Sequence, residues 1–66
     1  MDLRYTKDDA VMLVRASESR TAPFYLHLTH AGADHGIIES GLTWETARQR
    51  IAALRADGWL WEPQYT

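Results

Sequence analysis

Apolar and polar positions alternate with a period of two between residues 24 and 29. One face carries Phe24, Leu26 and Leu28, and the other carries Tyr25, His27 and Thr29. Side chains of an extended chain point alternately to opposite faces, so this pattern predicts a half-buried β-strand. Residues 31–36 then predict a turn, and residues 36–40 predict a short returning strand.

The last third of the chain has a helical period instead. Thr43 is a favourable N-cap, and Gly58 is able to take the positive φ that ends a helix. Between them, one apolar stripe contains Trp44, Ala47, Ile51 and Leu54. This spacing predicts an amphipathic helix over residues 43–57 with Trp44 in the core. Residues 59–61 predict a strand that places Trp59 and Trp61 on one face.

The apolar run at residues 10–15 fits two interpretations. As a strand, it pairs with the next strand through the polar turn at residues 17–21. As a helix, it has a plausible start, because Thr6 with Asp9 three residues later resembles a capping box. We favour the strand, since the run is short and a polar cluster follows it.

Together these elements predict one small α+β domain over residues 1–66. Its antiparallel sheet has three to four strands, in the order β-β-β-α-β, and packs on one C-terminal helix. One helix covers only one face of a sheet, yet the first and last predicted strands are apolar on both sides. The predicted partner-binding residues are therefore Val11, Leu13, Tyr25, Trp59 and Trp61. Either the indoles lie under the helix and the first strand forms the contact surface, or they face away and form it themselves.

Such a surface predicts a protein-interaction module: an adaptor, inhibitor or regulator that forms a homodimer or docks on a larger protein. The general build is similar to that of small phage- or plasmid-encoded accessory proteins, which act on a larger host machine. That similarity implies the same class of function.

Composition and charge narrow the possible functions and the cellular location of the protein further. The 66 residues contain no cysteine, which excludes disulfides and thiolate metal sites. No apolar run approaches the roughly 18 residues of a membrane span, and the first residues have no apolar signal region, so we expect a cytoplasmic protein. The net charge of −2 argues against indiscriminate phosphate binding.

The histidines are the only cluster with metal-ligand chemistry. His27, His30 and His35 follow the spacing H-x2-H-x4-H. His27 and His30 are an odd number of residues apart, so in an extended chain they point to opposite faces, and we predict no metal site. No phosphate loop, no nucleophile elbow and no carboxylate pair with evident catalytic roles is present either, so we expect no enzymatic activity and no cofactor.

The predicted helix carries Arg48, Arg50 and Arg55, which with an exposed Trp suggest an alternative, a nucleic-acid-binding domain. The element order over residues 10–57 resembles that of the arm-binding domains of phage integrases and of a family of plant DNA-binding domains. That resemblance implies DNA recognition by basic and aromatic residues of the sheet. Here the predicted sheet is mainly apolar and aromatic, with Arg15 as its early basic residue.

Overall fold

A computed structural model describes residues 3–63 and shows one antiparallel sheet of five strands with one helix against it. The elements are β1 (Leu3–Lys7), β2 (Ala10–Ala16), β3 (Phe24–His30), β4 (Ala33–Leu42), α1 (Trp44–Ala56) and β5 (Leu60–Glu62). The strand order is β4-β3-β2-β1-β5, so α1 connects the two edge strands. The predicted α+β class with an antiparallel sheet is confirmed. The predicted number of three to four strands is too low, because the sheet has an additional strand near the start of the chain.

That missed strand is β1, and it lies inside the sheet between β2 and β5. It pairs with β2 through a two-residue turn at Asp8 and Asp9, in which Asp8 takes a φ of 52°. Aspartate tolerates this left-handed conformation better than most residues do. The hairpin also decides the ambiguous run at residues 10–15, which is a strand as we favoured.

The turn between β3 and β4 is shorter than predicted. It consists of Ala31 and Gly32, with φ values of 52° and 80°, and β4 begins at once. The ten residues of β4 pair with the seven residues of β3 through three register shifts. Such bulges twist an edge strand and interrupt its ladder of hydrogen-bonding groups, which makes it a poor template for another chain.

Local signals at both ends of α1 explain why the helix has the predicted bounds. Thr43 Oγ1 accepts a hydrogen bond from the backbone N–H of Thr46 at 3.2 Å, and Gly58 follows with a φ of 94°. Lys7 Nζ donates to the carbonyl oxygen of Asp57 at 2.6 Å, which fixes the end of the helix against the end of β1. At 13 residues, α1 has neither the length nor the apolarity to cross a membrane, and residues 3–63 contain no helix that has.

The core lies between α1 and one face of the sheet. Its buried members are Tyr5, Met12, Val14, Leu26, Leu42 and Ala47. Ile51 and Leu54 of the predicted helical stripe pack against this cluster. Trp44 does not, and its predicted core position is wrong: 63% of the residue is exposed. The first turn of α1 starts beyond Phe24 and Leu42, the last pair of the β3–β4 ladder, so Trp44 meets only the edge of the core and lies 5.5 Å from Phe24 between ring centroids.

Candidate functional site

The sheet face opposite α1 is not covered by any element within residues 3–63. Residues directly opposite each other on neighbouring strands share a face, so the register assigns each side chain. Tyr5, Met12 and Leu26 point toward the helix, and the residues between them therefore point away. We call this second surface the open face. It comprises Arg4, Thr6, Val11, Leu13, Arg15, Tyr25, His27, Thr29, Asp34, Ile37, Leu60 and Glu62.

Apolar side chains form the middle of the open face. Leu13 on β2 lies opposite His27 on β3, and His27 in turn lies opposite Ile37 on β4. Val11 lies opposite Thr6, which also lies opposite Leu60 on β5. Leu60 and Ile37 are 70% and 59% exposed. We call Val11, Leu13, Ile37 and Leu60 the apolar band: they are spread across the face on β2, β4 and β5, with His27 of β3 and Thr6 of β1 between them.

Four charged or titratable groups lie among these apolar side chains and form two pairs. Arg4 Nε donates to Glu62 Oε2 at 2.9 Å. His27 Nε2 donates to Asp34 Oδ1 at 2.6 Å. The N–H of Gly36 and then His27 hold the pKa of Asp34 below its ordinary value. Since each of these acids lies beside its own base, these four residues need no countercharge from a partner.

The five predicted partner-binding residues divide between the two sides of the sheet. Val11, Leu13 and Tyr25 lie together on the open face. Trp61 lies opposite the buried Tyr5, on the helix side, and remains 56% exposed. Trp59 precedes β5 and packs against the core, with its indole N–H donating to Asp57 Oδ2 at 3.3 Å. Of the two arrangements that the sequence left open, the structure therefore has the indoles on the helix side.

Two open-face residues were missed by the sequence analysis. Leu60 was expected only as the residue between two tryptophans, and Ile37 only as part of a short strand. Neither residue alternates with polar neighbours, since Leu60 lies between two tryptophans and Ile37 between Gly36 and Ile38. The face that Leu60 shares is decided by its pairing with Thr6. That pairing joins residues at opposite ends of the chain and leaves no local pattern.

The three predicted helix arginines do not form one positive surface. Arg50 makes a two-pronged ion pair with Glu39 of β4, through Nε to Oε1 at 2.7 Å and Nη2 to Oε2 at 2.9 Å. Arg48 lines a groove near Trp44, whereas Arg55 lines a cleft with Trp59 and Trp61. One of the three arginines, Arg50, is therefore already paired with a carboxylate.

The histidines lie near each other without forming a ligand set. His27 is held by Asp34, and the rings of His30 and His35 are 6.3 Å apart between centroids. Within residues 3–63, no group of three histidine, aspartate, glutamate or cysteine side chains is arranged to hold a metal ion.

The Glu39–Arg50 pair gives a pH-dependence with a defined sign. Hydrogen bonds from Arg50 hold the pKa of Glu39 below its ordinary value of 4.5. The pair therefore stabilises the fold fully above that value and loses its contribution as the pH falls through the lower pKa of the folded state. We expect the urea midpoint of Glu39→Gln to fall less than that of the wild type between neutral pH and about pH 3.

Glu18→Gln is the matched control for this experiment. Glu18 lies in the exposed loop between β2 and β3, without an ion-pair partner among the described residues. This variant should keep the acid sensitivity of the wild type. If Glu39→Gln and Glu18→Gln lose stability equally between the two pH values, the pair has no such role.

Comparison of the chain with protein-family models, with curated proteins and with solved structures gave no match.

Proposed function

We propose that this protein is a non-enzymatic interaction module that forms a homodimer through its open face, in which two sheets pack face to face. The observation that carries the proposal is the apolar band of Val11, Leu13, Ile37 and Leu60 on a face that α1 does not cover. Sheets that pack in this way lie about 10 Å apart with their side chains interdigitated. A regulatory or adaptor role, in the cytoplasm, follows as part of the same proposal.

Charge favours a second copy over a charged partner. In an isologous interface the same surface meets itself, so an unbalanced charge would repel its own copy. Four residues of the open face avoid this problem, because Arg4 is paired with Glu62 and His27 with Asp34. A partner rich in acidic or basic groups would find no unpaired complement in these four residues.

The edges of the sheet support docking by the face. One edge is the bulged strand β4, and the other is β5, which has three residues and is followed by Pro63. Short edge strands, bulges and proline all discourage addition of a further strand. The broad surface that remains for a partner on this side of the molecule is the open face.

The open face is small for a protein interface. Five strands about 4.8 Å apart, with a length of about seven residues, span on the order of 500 Å² per copy. Two copies would bury on the order of 1,000 Å², which is the lower end for specific interfaces. We therefore expect a dimer that dissociates on dilution into the micromolar range.

Nucleic-acid binding is the second candidate. Its support is the cleft in which Arg55 lies beside Trp59 and Trp61, since indoles and a guanidinium provide stacking surfaces for bases. The ion pair of Arg50 with Glu39 and the net charge of −2 weaken that support. Binding of this kind would fall steeply with salt, whereas an apolar dimer would not.

Contacts between copies test the dimer directly. In a mixture of carbon-13-labelled and unlabelled protein, filtered nuclear Overhauser spectra detect only contacts between different chains. We expect such contacts from the Val11 and Leu13 methyl groups to the Tyr25 ring. Intermolecular contacts confined to the cleft of Trp59 and Trp61, or to the backbone along the edge of β4, would overturn the proposed arrangement.

A further inference from the structure

A second apolar recess lies on the helix side of the sheet, apart from the open face. This groove, with a volume of about 250 Å³, runs between the first turns of α1 and the ends of β2 and β3. Val14 and Ala47 form its buried floor, and Phe24 and Trp44 form one wall. Within residues 3–63, no side chain fills it.

Small residues keep the groove open. Ala16 at the end of β2 and Ala47 on α1 stand where larger side chains would close the space between sheet and helix. The exposed ring of Trp44 lies at a tilt of 47° to Phe24 and extends the apolar wall into solvent. Exposed tryptophans beside a recess are typical of residues that dominate binding energy in protein interfaces.

One charged side chain lines the groove. Arg48 lies one helical turn after Trp44, on the same side of α1, and is exposed. Within the described residues it has no hydrogen-bond or ion-pair partner, unlike Arg50. A guanidinium in this position pairs readily with a carboxylate in a two-pronged geometry.

We infer that the groove binds an acidic peptide segment of another protein, which inserts one large apolar side chain and places a neighbouring carboxylate on Arg48. A recess of about 250 Å³ has room for one large apolar side chain. The aromatic wall and alanine floor complement a leucine or phenylalanine side chain. The positive rim complements the acid and disfavours a basic segment.

Selection from a random heptapeptide library displayed on phage tests this inference without a known partner. Panned against the wild-type protein, the library should yield peptides in which leucine, phenylalanine or tryptophan lies within two residues of aspartate or glutamate. Synthetic copies of the enriched peptides are then titrated while the indole resonance of Trp44 is followed by NMR. Enrichment of basic peptides, or of none at all, would overturn the inference.

Variants separate the groove from other surfaces. We expect Arg48→Glu and Ala16→Phe, which reverse the charge and fill the space, each to weaken peptide binding at least about tenfold. Gln49→Glu introduces the same acidic side chain at the neighbouring helix position outside the groove and should leave binding within about twofold. Binding unchanged in both Arg48→Glu and Ala16→Phe would contradict the assignment.

The proposals of a peptide-binding groove and of a dimer can be tested independently. Leu13→Asp changes the opposite face of the sheet, so this variant should bind the selected peptides as the wild type does. Loss of peptide binding in Leu13→Asp, with Arg48→Glu unaffected, would place the peptide on the open face and overturn the groove.

Discussion

Leu13→Asp is expected to fold like the wild type and to be monomeric at concentrations at which the wild type is a dimer. Leu13 lies in the middle strand of the open face, opposite Arg4 on one side and His27 on the other. In the monomer the new carboxylate remains in water. In the dimer it would lose water beside an apolar copy of the same face, at a cost of about 3 kcal/mol or more, which corresponds to at least about a hundredfold weaker association.

Two controls make this result specific. Thr21→Asp adds the same charge in the exposed loop between β2 and β3 and should leave the dimer intact. Leu13→Thr removes apolar surface but keeps a residue that favours strands, so it should also weaken association. Sedimentation velocity measures all three, with circular dichroism to verify folding. A dimer that persists in folded Leu13→Asp would show that the open face is not the interface.

Met12→Asp is expected to unfold the protein, although Met12 is the immediate neighbour of Leu13 on β2. Met12 is 6% exposed and belongs to the core under α1. A charge buried there without a partner costs about 3–5 kcal/mol. A domain of this size has about that much stability in total, so the variant should lack the dispersed amide spectrum of the folded state.

The contrast between neighbouring positions tests which face the helix covers. The same substitution at residues 12 and 13 should unfold the chain in one case and only dissociate it in the other. Circular dichroism and NMR spectra of both variants provide the comparison. Unfolding by Leu13→Asp together with a folded Met12→Asp would mean that α1 packs on the opposite face.

The helix could be predicted because its signals are local. Thr43, Gly58 and the apolar stripe that includes Ala47 and Ile51 all lie within sixteen residues of one another. The strand character of β3 was visible for the same reason, since a clean alternation occupies a single short segment. Such patterns need no knowledge of where the rest of the chain lies.

What the sequence did not reveal depends on distant pairings. The alternation of Leu3 and Tyr5 in β1 is short, and the position of β1 inside the sheet depends on its pairing with the distant strand β5. The side on which Trp61 lies depends on its pairing with Tyr5. The spacing of Trp44 correctly predicts the side of the helix on which it lies. It does not predict that the sheet ends before Trp44, which leaves the side chain exposed.

The open face was predicted in outline by counting apolar sides. Val11, Leu13 and Tyr25 were placed together from strand periodicity, and they do share the uncovered face. The register corrects the prediction for β5, because Leu60 lies on the open face and Trp61 lies on the helix side. Local alternation therefore identifies the members of a face, whereas register decides which faces of different strands coincide.

Sedimentation equilibrium of the wild-type protein tests the central claim most directly. We predict that the weight-average mass rises from the monomer value of 7.6 kDa toward twice that value as the concentration increases. The transition should fall between about 10 µM and about 1 mM, as expected for an interface of this area. It should persist in high salt, because its driving force is apolar burial. A mass of 7.6 kDa throughout that range would contradict self-association through the open face.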